Sequence, residues 1–188
     1  KAREARLYCG LAVVLAVFMA VDWAQHLPPP ARLFHGTPDA ASGFCRQSTG
    51  FSCTAASAAT LLHRHGIAAS EWDMVRFCRT GFGGTQTLGA LYGIQTQARD
   101  NGLSVRFEHC RDKNPAKLHM PCLASVCLGN GVHHSVCVLS IDIQSGSLSI
   151  SDPLHGIRQE PLGQFQEEWL GDCLYLQATD GQVTSIGR

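Results

Sequence analysis

The chain has 188 residues, with fifteen Lys and Arg balanced by fifteen Asp and Glu. That is enough for one ordinary domain with a real core plus an appendage, and nothing in the balance marks it for nucleic acid or an anionic surface. The nine cysteines are not set out like a small disulfide scaffold. Several (Cys9, Cys127, Cys137) lie in apolar runs, where a cysteine usually behaves as a small buried hydrophobe.

Lys1, Arg3 and Arg6 precede an uncharged apolar run from Leu7 to Val21, followed by Asp22, Trp23 and Pro28-Pro29-Pro30. The run is at the short end of what spans a bilayer and in the range of a signal-peptide core. Small-x-small cleavage sites are poor, because Asp22 stands two places before Ala24 and Phe18 two before Ala20. Trp23 is an interface-type residue. Residues 1–27 are therefore expected to form an uncleaved membrane anchor, with a signal segment or a buried soluble helix as alternatives. The basic flank would keep that end cytoplasmic and place the domain on the non-cytoplasmic side, a bacterial-type arrangement. Residues 28–43 read as a stiff, Pro-rich linker, residues 44–178 as the folded domain, and residues 179–188 as a C-terminal tail.

Within the domain, Cys53 to His65 has a helical pattern and Gly66 is a suitable residue to end it. Ser70 with Asp73 resembles a capping box, opening a second helix to about Arg79 whose apolar residues are Trp72, Val75, Phe77 and Cys78. Thr80–Thr87 is a glycine-rich turn. A third helix follows, with Leu88, Leu91, Ile94 and Ala98 on one face and Gly102 at its end. The period then changes. Leu103–Phe107, Met120–Leu128, His134–Ile141 and Leu148–Ser151 alternate or run apolar, with Asn-Gly and Ser-Gly turns between them. Gln164–Leu170 reads as a short helix with Phe165 and Trp169 inward, and Cys173–Leu176 as a closing strand. Helices first and an antiparallel sheet second make an α+β layout.

The chemistry centres on Cys45-Arg-Gln-Ser-Thr-Gly-Phe-Ser-Cys53, a polar loop running into an Ala/Leu-rich helix. A cysteine at a helix N-terminus meets the positive end of the macrodipole and the unpaired N–H groups of the first turn, and both favour thiolate. Gln47 supplies an amide N–H₂ suited to an oxyanion. Cysteine catalysis also needs a base and a group to orient it. Period-two alternation puts His134, Val136 and Val138 on one strand face, and Asp152 sits at the end of the next strand, before Pro153. Neighbouring antiparallel strands would set the two side by side, with the Asp fixing the tautomer of the His. His133 is the alternative base. Taken singly, each residue has a plainer reading: a packing cysteine, a loop glutamine, a surface histidine, a turn aspartate. Their order along the chain carries the joint reading.

That ordered set resembles the double-glycine leader peptidases, papain-like cysteine peptidases that process bacteriocin precursors. Gln47 stands six residues before Cys53, His134-Ser-Val-Cys-Val opens an apolar strand, and Asp152-Pro153 closes the following one. The Gly83–Thr85 turn and the Phe165/Trp169 segment also look like the family. The resemblance, over about Phe44 to Leu176, implies a papain-like fold and catalytic roles for Cys53, His134, Asp152 and Gln47. It implies a peptide precursor cut after Gly-Gly as substrate, and a separate transporter as partner. Two positions depart from the family pattern: Ser52 stands where an acid is usual and Thr54 where a Gly is usual. A catalytically inactive domain of the same fold that binds leader peptides is the alternative.

The chain has no Gly-x-x-x-x-Gly-Lys-Ser/Thr loop and so no ATPase of its own. His109, Cys110, His119, Cys122 and Cys127 supply ligand types but no Cys-x-x-Cys pair, so neither a metal nor another cofactor is expected. On an oxidising side of a membrane, Cys45 could be bridged to Cys78 or Cys110.

Overall fold

A computed structural model describes residues 2–129 and 131–179, with side chains from Tyr8 onward apart from Cys9. The basic flank's side chains, Asn130 of the Asn-Gly turn and positions 180–188 of the expected tail lie outside the described residues.

Helix α1 runs Ala2–Gln25. Its apolar side chains, among them Leu11, Val14, Phe18 and Val21, are more than half exposed. Among the described residues, no helix is long and apolar enough to cross a membrane. The Gln25 carbonyl, one of the orphan acceptors that every helix C-terminus leaves, takes the Gly83 N–H at 3.2 Å. Gly81 lies so close beneath it that a Cβ there would sit 2.1 Å from the same oxygen. The following segment packs back on the domain. Phe34 is buried and stacks on Trp72 at 5.5 Å, and it meets Phe51 edge-on at 6.1 Å.

Helices α2 (Cys53–Arg64), α3 (Glu71–Phe77) and α4 (Thr87–Ala98) precede the sheet. Helix α2 is enclosed on nearly every side, with Ala55, Ala56, Ser57, Ala58, Ala59, Leu61 and Leu62 all fully buried. A helix apolar all round belongs in a core, and its Ala and Ser residues let neighbours approach closely. Leu61 and Leu62 each contribute about 1.5–3 kcal/mol by burial. The capping box at Ser70 and Asp73 is complete in both directions. Helix α4 buries Ile94 and Ala98 of its expected face and packs Leu91 against the core, with Ala90 and Gly93 buried beside them, but Leu88 is 79% exposed. The reason is a close helix contact, since a Cβ on Gly93 would lie 2.5 Å from the Cys78 sulfur. Small residues, rather than Leu88, face α3.

The strands are β1 (Leu103–His109), β2 (Cys122–Cys127), β3 (His133–Asp142), β4 (Ser147–Asp152), β5 (Gly156–Pro161) and β6 (Trp169–Ala178). They form one antiparallel sheet in the order β1-β6-β2-β3-β4-β5. Strand β5 has no strong apolar alternation, which is why it goes unread in the sequence. Alternation divides the sheet's two faces. Leu123, Cys137, Leu174 and Leu176 join the helical core, whereas Ala124, Val126, Val136, Val138, Leu148 and Ile150 face a second core. Helix α5 (Leu162–Glu168) closes that second core with Phe165, which stacks on Trp169 at 5.7 Å.

Glu71 is fully buried. It accepts from Gly36 N at 2.9 Å and from Ser48 N at 2.7 Å, and also takes the Ser48 hydroxyl. It thereby ties both the segment before the domain and the loop before Cys53 to α3. Glu71→Ala strands these donors and should cost about 2–4 kcal/mol of unfolding free energy. Urea denaturation followed by far-UV circular dichroism measures this; a loss within experimental error of zero would show that water replaces the carboxylate.

Candidate active site

The loop Cys45–Ser52 is stitched to the turn after β4. Gln47 N donates to Pro153 O at 3.0 Å, and Arg46 Nη1 donates to Leu154 O at 3.1 Å. The Ser52 hydroxyl turns back on Thr49, so no side chain caps α2. The first-turn N–H groups of α2 are thus left for the Cys53 sulfur and for whatever binds beside it.

At the other edge of the site, the Thr54 and Ser135 hydroxyls share a buried hydrogen bond of 2.8 Å, and Ser57 Oγ donates to Ser135 O at 2.9 Å. These bonds seat the first turns of α2 on β3, one residue from His134. Cys53, His133 and His134 line a common cleft of about 550 Å³, walled also by Phe51 and the Phe82–Thr85 turn. His133 is exposed and His134 buried.

His134 Nε2 lies 2.9 Å from Asp152 Oδ1, both groups buried. That leaves Nδ1 as the ring atom for the sulfur. Asp152 Oδ1 also accepts from Leu154 N at 2.9 Å and His155 N at 3.3 Å, an Asx-turn. Its Oδ2 faces His155 Nδ1 at 3.0 Å and Arg158 Nη2 at 3.5 Å.

Protonation follows from these contacts. Burial pushes the Cys53 thiol up, but a hydrogen-bonding and charge interaction with His134, aided by Ser135 N–H and the Thr54 side chain, outweighs it. The net pKa is lowered from the usual thiol value. For His134, burial works downward, yet Asp152 and Cys53 raise it to about 9. Burial would raise Asp152, but His134, His155 and the Leu154 N–H hold it well below the usual carboxylate range. These shifts favour a thiolate–imidazolium pair backed by a carboxylate. Three buried cysteines lack this. Burial pushes Cys45, Cys78 and Cys137 up to about 12. Cys173 is lowered by the Cys122 thiol, but is buried.

The structure thus brings Cys53, His134 and Asp152 together. Gln47 stands a step back: its Nε2 donates to Thr49 O at 2.8 Å, while its Oε1 is buried without a partner. One N–H of that amide remains uncommitted to Thr49. Three contributors were not read from the sequence. His155 and Arg158 follow the Asp-Pro turn closely enough for its local geometry to have flagged them. Glu71 had no such signal, because its partners lie far away along the chain. The eight described cysteines are free thiols, so the possible bridges from Cys45 to Cys78 or Cys110 are not formed. Among the described residues, no group of three His, Cys, Asp or Glu is placed to hold a metal.

An α+β domain with a cysteine at a helix start and a His–Asp pair on the facing sheet defines a cysteine-peptidase-type site. The peptidase C39 family model matches residues 42–181, and the chain belongs to that family. An uncharacterised protein of Methanothermobacter marburgensis is 32% identical over 132 residues, which is 70% of this chain and 86% of the relative. Two solved structures share the fold. One is a double-glycine motif protease from an AMS/PCAT transporter in complex with the leader peptide, with a TM-score of 0.60, 22% identity and coverage of 71% of this chain and 89% of the other. The second is the peptidase domain of Streptococcus ComA, a bi-functional ABC transporter in a quorum-sensing pathway, with a TM-score of 0.59, 22% identity and coverage of 71% and 96%.

Because the thiolate depends on the imidazolium, Cys53 should react with iodoacetamide at about pH 6, where ordinary thiols are protonated, and its rate should stay level up to about pH 9. Asp152→Asn weakens the imidazolium, raises the Cys53 pKa and should cut labelling at about pH 6 by roughly tenfold or more. Mass spectrometry of the labelled peptide reads both. A Cys53 that titrates like a free thiol would contradict the ion pair.

Proposed function

We propose that this chain is a membrane-attached cysteine endopeptidase that cleaves a peptide precursor after a Gly-Gly leader. The observation that carries the reading is the buried 2.9 Å His134–Asp152 pair in one cleft with Cys53. Family membership and the leader peptide bound to the AMS/PCAT protease support the substrate class.

In this mechanism the Cys53 thiolate attacks the carbonyl carbon of the scissile bond. The Cys53 backbone N–H and the uncommitted Gln47 N–H hold the tetrahedral oxyanion. His134 Nδ1–H gives its proton to the departing amine and later takes one from the water that releases the acyl group. Asp152 keeps Nε2–H occupied and stabilises the imidazolium. Gly83 and Gly84 on the cleft wall bring no side chains of their own, which favours a closely laid substrate without bulky side chains at the cut. No cofactor takes part.

The domain division is 1–27, 28–43, 44–178 and 179–188, with α1 attaching the domain to a membrane. The apolar side chains of α1 are exposed along its described length, and burying them in an acyl boundary would be favourable. Were α1 to span the bilayer rather than lie along it, the basic residues Lys1, Arg3 and Arg6 would hold that end on the cytoplasmic side and leave the domain on the other. A separate transporter is the partner that would export the product.

Cys53→Ala should abolish cleavage of a synthetic Gly-Gly leader peptide. His134→Ala should lower kcat by about 10²–10⁴, and Gln47→Ala by about 10²–10³, chiefly in kcat. If His133→Ala is inactive while His134→Ala is not, the base moves by one residue. Peptide binding with no Cys53-dependent turnover would instead identify an inactive leader-binding domain. Alkaline-carbonate extraction tests attachment, with the full chain expected in the membrane pellet.

A further inference from the structure

Beneath the cleft lies a recess that the mechanism leaves unused. It shares Thr54, Thr85, Thr87, Ser125, Ser135 and Asp172 with the cleft and is backed by Phe107. Its character is set by what surrounds it. Five of the shared residues are hydroxyl-bearing. Among the described residues, Asp172 is the one carboxylate lining either space, and no Lys or Arg lines either. Opposite-signed groups that could neutralise Asp172 are therefore missing from these walls, apart from the imidazoles.

The carboxylate is held in position. Asp172 pairs with His109 across β1 and β6, and His109 Nδ1 lies 2.7 Å from Asp172 Oδ1. The Trp169 indole donates to the Asp172 backbone oxygen at 2.9 Å. Among the described residues Oδ2 takes no hydrogen bond. The Asp172 side chain is 33% exposed, so it is partly desolvated, where an ion pair is stronger than on an open surface. Phe107 adds an aromatic side chain to the lining, and an aromatic face attracts a cation rather than an anion.

We propose that Asp172, where the cleft opens into this recess of about 40 Å³, makes a specificity subsite for a cationic side chain, Lys or Arg, of the peptide that occupies the cleft; the recess admits only the charged tip, and the stem stays in the cleft. It rests on the reading of the cleft as a peptide-cleaving site and adds a charge requirement to the small-residue requirement at the cut. The Asp172 Oδ2 accepts from the ammonium or guanidinium, and the Thr87 and Ser125 hydroxyls accept further N–H groups. An acidic side chain at the same position meets like charge and no donor of full positive charge.

The experiment uses the full chain and synthetic Gly-Gly peptides in which single residues on either side of the scissile bond are replaced in turn by Lys, Gln or Glu. At one position the wild type should favour Lys over Gln by roughly 5- to 30-fold in kcat/KM, between the worth of an exposed ion pair and that of a desolvated one, with Glu poorest. The Lys/Gln ratio should shrink as salt is raised, a measurement that needs no variant. In Asp172→Asn, which keeps an acceptor for His109, the ratio should fall to about one.

A Lys/Gln ratio near one at every position, a ratio indifferent to salt, or a ratio that survives in Asp172→Asn overturns the subsite. Should no peptide be cleaved, fluorescence anisotropy of the same peptides on the full chain still decides it. Lys-selective binding that Asp172→Asn removes supports the recess although the peptidase reading has failed, and binding without charge preference overturns it.

Discussion

Thr54 and Ser135 share one buried hydrogen bond, and through it the first turn of α2 is held against the strand that carries His134. The two residues lie far apart in the chain, so nothing local sets their distance. Their neighbours reinforce the seat: Ser57 donates to the Ser135 carbonyl, and the loop before Cys53 is sewn to the turn after Asp152 by Gln47 N and Arg46. The sulfur and the imidazole therefore meet because helix and sheet are pinned from both sides of the cleft. Position 54, where a Gly is usual in the resembling peptidases, is used here as a structural hydroxyl.

Charge is distributed along a single line. The thiolate is stabilised by the imidazolium, the imidazolium by Asp152, and Asp152 by two backbone N–H groups, His155 and Arg158. Each buried charge has an opposite neighbour, which is the condition for keeping charges out of water at all. Arg158 also contacts the buried carboxylate of Glu160, so the line ends in a second ion pair rather than in an unpaired charge. Burial raises the cost of disturbing any member, because the remaining partners would be left unpaired.

How much of this could be read beforehand depends on the range of the signal. Short-range signals served well: the capping box at Ser70, the helix opening at Cys53 and the Asp-Pro end of β4 lie where local pattern placed them, and the strand read from His134 begins one residue earlier, at His133. So does the α+β division. Two failures have physical causes. Helix α4 turned Leu88 outward because glycines facing Cys78 allow a closer contact than leucine would, and a hydrophobicity pattern cannot rank closeness of approach. Strand β5, with polar residues at most positions, gave no periodic signal and is formed by pairing with β4. The side-chain orientation of Gln47, and the parts played by Glu71 and Asp172, depend on partners far away in the chain, which no spacing rule reaches.

The contact between the end of α1 and the Gly81–Gly84 turn has a mechanical side. The Gln25 carbonyl rests on Gly83 N–H, and the opposite surface of that turn, through Phe82, leans on Phe51 near the sulfur at a ring separation of 5.4 Å. The tight fit at Gly81 leaves no slack for a side chain between them. A tilt of the N-terminal helix would reach the wall of the cleft through one peptide group and one pair of rings. The geometry makes that helix a lever on the cleft beside Cys53.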